Sequence, residues 1–122
     1  MNDFCIVKLE PGQAPEFTYI EDTLQTMLDL LGGSMEATFP WEDVALLGNE
    51  LSKVFPMPPN FVLINQRTGK AIDVICGPCF ICGVGEEDFA SLSPELAEKY
   101  LEIFENADLY NLFGMMLPAI PV

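Results

Sequence analysis

Prolines and glycines cut this chain into short pieces. Ten prolines and nine glycines are spread through 122 residues, so apolar runs end in a turn or a break after a few positions. No run approaches the roughly 20 apolar residues that a membrane-spanning helix needs. What lies between the breaks is rich in β-branched and aromatic residues. Phe4-Cys5-Ile6-Val7-Lys8-Leu9 stops at Glu10-Pro11-Gly12, and Glu16-Phe17-Thr18-Tyr19-Ile20 alternates. Together they read as a hairpin.

Two stretches break this pattern and predict helices. In the first, Asp22 or Thr23 can cap a helix over 22–31, with Leu24, Met27, Leu28 and Leu31 on one stripe facing the core and Gly32-Gly33 as the left-handed stop. The second runs over 93–106 and has the stronger signals. Ser93 is a favoured N-cap, Pro94 suits the first helical position and Glu95 suits the positive end of the dipole. Leu96, Tyr100, Leu101, Ile103 and Phe104 cover one side, and Asn106 ends the helix.

Between the helices, Met35, Ala37 and Phe39 alternate as a strand closed by Pro40. Residues 44–47 form a second short run, and 51–60, with Pro56, Pro58 and Pro59, read as an irregular crossing over the domain. Residues 61–64 and 71–76 make a hairpin about Gln66-Arg67-Thr68-Gly69. Cys79-Phe80-Ile81-Cys82 continues the second arm after Gly77-Pro78, which suggests a bulge or an edge. The order ββαββ, β-hairpin, α defines the α+β class. The expectation is a single small domain over 1–122, with a mixed or mainly antiparallel sheet and two main helices, at about 22–31 and 93–106. Half of the residues are hydrophobic and a fifth are charged, enough apolar material for a packed core. Residues 109–122 carry no charge and form an apolar C-terminal segment that packs on the domain or on a partner.

Charge and residue types exclude a good deal of chemistry. Histidine is absent, which removes Ser-His-Asp and Cys-His pairs, imidazole metal ligands and a histidine proton shuttle. Five scattered cations give no basic patch for phosphates, so direct nucleic-acid binding is not expected. The formal charge is −14. Residues 1–61 hold ten acids and two bases, and residues 62–122 hold nine acids and three bases, so no acidic tail stands apart. Such a surface keeps a chain soluble, repels membranes and attracts basic partners.

The cysteines invite two readings and support neither. Cys76-Gly77-Pro78-Cys79 spells the active-site tetrapeptide of thioredoxins, but a strand-like run surrounds it where a thiolate needs a helix N-terminus. Cys76, Cys79 and Cys82 also have a cluster-ligand spacing. The only other thiol is Cys5, and on an extended run Cys76 and Cys82 share one face while Cys79 takes the other. Buried, apolar cysteine is the reading this pattern favours. Neither catalytic residues nor metal or cofactor ligands are assigned. Glu86-Glu87-Asp88 lacks the remaining oxygen spacing of a calcium loop, and no glycine cluster is followed by the Lys and Ser/Thr of a phosphate loop. Asp73 interrupts an apolar run, facing water by alternation or pairing with Arg67, Lys70 or a ligand.

One charged pattern is organised. Glu95, Glu98, Glu102 and Glu105 lie three and four positions apart on the outer side of the 93–106 helix. Successive members rise about 4.5–6 Å, comparable to a row of phosphates, and this is the candidate partner surface. Met1-Asn2-Asp3 opens on an acidic residue before a short apolar run, which does not suit a signal or transit peptide. The expected compartment is therefore the cytoplasm, with reduced thiols.

Several loose motifs occur in order: Glu10-Pro11-Gly12, Gly32-Gly33, Pro40-Trp41-Glu42-Asp43, Asn49-Glu50, Asp73, Gly77-Pro78-Cys79-Phe80-Ile81-Cys82-Gly83 and Asp88-Phe89-Ala90-Ser91-Leu92-Ser93. Over roughly residues 4–105 this order resembles the domain of unknown function family numbered 3846. The resemblance implies a protein of phages and conjugative elements of gut Firmicutes, encoded near accessory and antirestriction genes. It brings no activity, catalytic residue or cofactor with it. In that family the stretch before the final glycine is apolar and aromatic, so Cys76 and Cys79 depart from the pattern and a redox or metal role is not a family property. The function expected is that of a non-enzymatic accessory protein binding a basic host or element-encoded partner, with counter-defence as one setting. The alternative is a small-ligand or nucleotide-binding module with a pocket under the Pro56–Pro59 crossing. A thiol-redox or metal-binding protein comes third.

Overall fold

A computed structural model describes residues 3–122, the first of them by its backbone only. Met1 and Asn2, on which the reading of the N-terminus partly rests, lie outside the described residues. Strands β1 (Asp3–Leu9) and β2 (Glu16–Glu21) form the expected antiparallel hairpin. Helix α1 (Leu24–Leu31) follows, capped by the Thr23 hydroxyl, which accepts from the Thr26 amide, and closed by Gly32 in the left-handed conformation. Its buried residues are Met27 and Leu31. Leu24, expected on the core stripe, is the first residue of the helix and is exposed.

Next come β3 (Glu36–Thr38) and β4 (Ala45–Gly48). An irregular crossing over 49–58 leads to β5 (Pro59–Ile64), then β6 (Ala71–Cys76) and β7 (Cys79–Val84). After the short β8 (Phe89–Ala90), helix α2 (Pro94–Glu105) begins on Ser93, whose hydroxyl accepts from the Leu96 amide. It ends at Asn106, as the sequence predicts. The chain closes with β9 (Asp108–Leu112) and β10 (Met115–Pro121). The fold is α+β with two mostly antiparallel sheets.

The first sheet runs β2-β1-β7-β4-β3, with β8 on β7. The second runs β6-β5-β10-β9, and only its β5–β10 pair is parallel. One face of the first sheet (Phe4, Ile6, Ala45, Leu47, Phe80, Cys82) packs on Met27 and Leu31 of α1. The opposite face (Val7, Leu9, Leu46, Cys79, Ile81) packs against Phe61, Leu63 and Ile120 of the second sheet and Tyr100 and Phe104 of α2. Coverage on both faces is why β7 is apolar at nearly every position instead of alternating.

Two expectations about the strands need correction. β7 does not continue β6: the Gly77-Pro78 step carries the chain from the second sheet to the first. Gly77 has φ 77°, and a Cβ there would lie 2.6 Å from the Met57 sulfur, so the step needs glycine. The buried Asn60 ties the junction by donating to the carbonyls of Leu9, at 3.0 Å, and Gly77, at 2.9 Å. The second correction concerns residues 109–122, which had no assigned structure. They lie in β9 and β10, and β10 sits at the centre of the second sheet. Pro118 is accommodated because pairing with β5 begins one residue later, at Ala119.

Candidate functional site

Helix α2 is held from beneath by an aromatic and ionic anchor. Its inward residues Ala97, Tyr100 and Phe104 are buried. The Trp41 ring stacks 5.2 Å from Tyr100 and 6.3 Å from Phe104, and Phe104 meets Phe61 edge-on at 5.0 Å. The Trp41 indole N–H donates to the Pro121 carbonyl at 3.0 Å, linking the 40–43 loop to the last strand. Asp43 accepts from the Tyr100 hydroxyl and, at 2.7 Å, from the Lys99 ammonium. Burial pushes the Asp43 carboxyl up, but the bonds from Lys99 and Tyr100 outweigh it and hold the pKa below the ordinary value. Burial and the same carboxylate push the Tyr100 phenol up.

The opposite side of α2 carries Glu95, Glu98, Glu102 and Glu105, all exposed. Lys99, the cation within this row, is engaged by Asp43 and lies 5.3 Å from the Tyr100 ring centre. The anchor therefore draws the helix's one positive charge toward the 40–43 loop and leaves the row negative. Sequence spacing located the four glutamates. It did not show that Asp43 takes up Lys99, since the two are 56 residues apart.

A second feature lies beside residues 49–53, at the start of the crossing; the sequence places a pocket under Pro56–Pro59, and none of those residues lines this one. It is a cleft of about 140 Å³ between the β3–β4–β7 edge of the first sheet and β6 of the second. Glu36, Glu50, Lys53, Asp73, Cys76 and Cys79 are among the residues lining it. The roof is set by Asn49, whose side-chain amide donates to the Leu31 carbonyl at the end of α1 and whose oxygen accepts from the Leu51 amide. Lys53 descends from the crossing to pair with Asp73 at 2.5 Å. Asp73 thus faces neither Arg67 nor Lys70. Its partner sits on the crossing, brought over β6 by the fold, and half of its side chain stays in contact with water.

The cysteines are separated by the step between the sheets. Cys76 ends β6 at the cleft, Cys79 is buried between the sheets, and Cys82 packs toward α1. Cys76 and Cys82 do not share a face, as a single extended run would require, because they belong to different sheets. Burial raises the Cys76 pKa against the pull of Lys53, raises Cys79 far above the usual thiol range and, with Asp88, pushes Cys82 up to about 12. These environments favour the neutral thiol. Among the described residues, no group of His, Cys, Asp or Glu is arranged to hold a metal ion, and no helix is long and apolar enough to cross a membrane.

Fold and surface together define a small α+β domain with an acidic helix face and a narrow cleft between its two sheets. The chain belongs to the family described as Domain of unknown function (DUF3846), whose model matches residues 1–105. No match is found among curated proteins or solved structures. Several of the family-like motifs have local duties in this fold. Asn49 closes α1, the Ser91 hydroxyl accepts from the Cys5 amide at 2.8 Å, Ser93 caps α2 and Asp43 anchors it.

Proposed function

We propose that this chain is a cytoplasmic accessory protein of phages or related mobile elements that acts by binding another protein rather than by catalysis. The outer face of α2 meets a basic host or element-encoded partner, and counter-defence is the setting that the family's genomic neighbourhood suggests. The observation that carries this reading is the row of four exposed glutamates on a helix locked from behind, with its lysine drawn off by Asp43. A fixed row of like charge gives complementarity and fast encounter with a cationic surface. No direct contact with nucleic acid or membrane is part of this reading.

Capture from the natural host tests it with three baits: the wild type, Glu98→Lys/Glu102→Lys, and a charge-matched control, Glu86→Lys/Glu87→Lys, altered in an exposed loop. The expected result is a basic protein retained by the wild type and the control but lost from the α2 variant. Equal retention by all three baits, or no basic protein on any of them, would refute the reading.

A small-ligand module is the second reading, favoured by the cleft beside residues 49–53. Glu36, Glu50 and Asp73 face a single lysine there, already paired, so the cleft suits small amines better than nucleotide phosphates. A thermal-shift screen of both classes decides: stabilisation by an amine supports the cleft, and a flat response to both dismisses it. Thiol-redox or metal chemistry has the least support, and metal analysis with thiol counting on protein purified without chelator tests it.

A further inference from the structure

The turn joining β9 to β10 consists of Phe113 and Gly114, both with positive φ, at 49° and 91°. This is the geometry of a primed hairpin turn, whose first position favours asparagine, aspartate or glycine. Phe113 is the one non-glycine residue with positive φ among the described residues. Its ring is fully exposed, at 102%. The Asn111 side chain accepts from the Gly114 amide at 2.7 Å and braces the turn, so the ring is held outward on a fixed support. A phenylalanine here strains the backbone and has no packing within its own chain to offset that strain.

Beside this knob lies a hole. A groove of about 400 Å³ runs between the β1–β2 loop, the end of α2 and β10, lined by Leu9, Pro15, Phe61, Phe104, Met116 and Pro118 among others. Glu105 is the only charged residue among those lining it. Leu109 and Met116 extend the apolar surface outward, and both are exposed. β9 is a free edge of its sheet, and residues 109–112 carry neither the charge nor the proline that usually protects such edges.

We infer that a second copy of this chain docks here, related by a two-fold axis, with each Phe113 entering the groove of the other copy. Three observations select this occupant. Knob and hole lie on one molecule only three residues apart, at Phe113 and Met116, and a two-fold contact needs that adjacency to bring each knob over the opposite hole. Two chains of charge −14 repel each other over most of their surface, and residues 109–122 are an uncharged stretch, next to the knob and the groove, on which they can meet. A basic partner would find a single carboxylate along the groove, Glu105, and none in residues 109–122.

Sedimentation velocity over a concentration series tests the inference, with Phe113→Asn and Met116→Glu beside the wild type. Asparagine suits the left-handed turn position, so Phe113→Asn keeps the hairpin folded while removing the knob. The wild type should form a closed dimer that holds or tightens as salt rises from about 0.05 to 0.5 M, because screening relieves the repulsion between the copies. Each variant should raise the dissociation constant by about thirtyfold or more, the loss typical of a buried interface anchor. A monomeric wild type at every concentration, a dimer indifferent to Phe113, or open-ended growth into higher assemblies would each overturn it. Binding of a different molecule through Phe113 by a monomeric wild type would overturn it as well.

Discussion

Helix α2 and the β9–β10 hairpin are neighbours in the chain and opposites at the surface. The helix shows water a row of carboxylates and hides its aromatic side behind Trp41 and Asp43. The hairpin has no charge beyond Asp108 and exposes Leu109, Phe113, Met115 and Met116. Contacts of the first kind act over a Debye length and weaken with salt, whereas contacts of the second kind depend on shape and apolar area and survive it. Two surfaces so different serve two different contacts; they meet at Glu105, and substitutions at Glu98 and Glu102 or at Phe113 address one without the other.

The sharpest way to break the comparison is to remove what holds the helix. Phe104→Ala empties the contact with Trp41 and Phe61, and a loss of about 3–5 kcal/mol in urea unfolding is expected. Asp43→Asn comes next, at about 1–3 kcal/mol, because it strips the carboxylate from Lys99 and Tyr100. Its pH signature is specific. The folded-state pKa of Asp43 lies below the ordinary aspartate value of 3.8, so its contribution is complete above that value and fades as pH falls through the lower, folded one. Acid titration of stability should therefore show a flatter limb in Asp43→Asn than in the wild type below about pH 5.

On the hairpin, Phe113→Asn should stabilise the monomer by about 1 kcal/mol by relieving the left-handed strain, read as a higher urea midpoint at a concentration too low for association. A destabilised monomer would mean that the ring packs on its own chain. Smallest is Glu98→Lys/Glu102→Lys. Both positions face water, so a stability change within about 0.5 kcal/mol is expected even where binding is lost.

Much of the frame was legible because its signals are local. Thr23, Gly32, Ser93 and Pro94 mark helix ends through local geometry and bonds within a few residues, and both helices follow from them, as the first hairpin follows from its two β-rich runs about Glu10-Pro11-Gly12. What escaped was set by distant partners. β10 holds Pro118 and buries Leu117, Ala119 and Ile120 in mid-sheet, so it shows no clean alternation, and β9 shows its strand character only beside it. The split between β6 and β7 depends on Met57 and Asn60 closing around Gly77, which no spacing reveals. The acidic row was visible as a period of three and four. The Lys53–Asp73 pair was not, because it forms only when the crossing lies over β6.

On the reading proposed above, the ordered row on α2, rather than net charge, recognises a cationic partner. Calorimetric titration of a lysine-rich peptide into the wild type, Glu98→Lys/Glu102→Lys and Glu86→Lys/Glu87→Lys across a salt series measures this directly. The two variants have equal net charge. The α2 variant should bind several-fold more weakly than the loop variant and show the shallower salt dependence. Equal affinities and equal slopes for the two variants would contradict it.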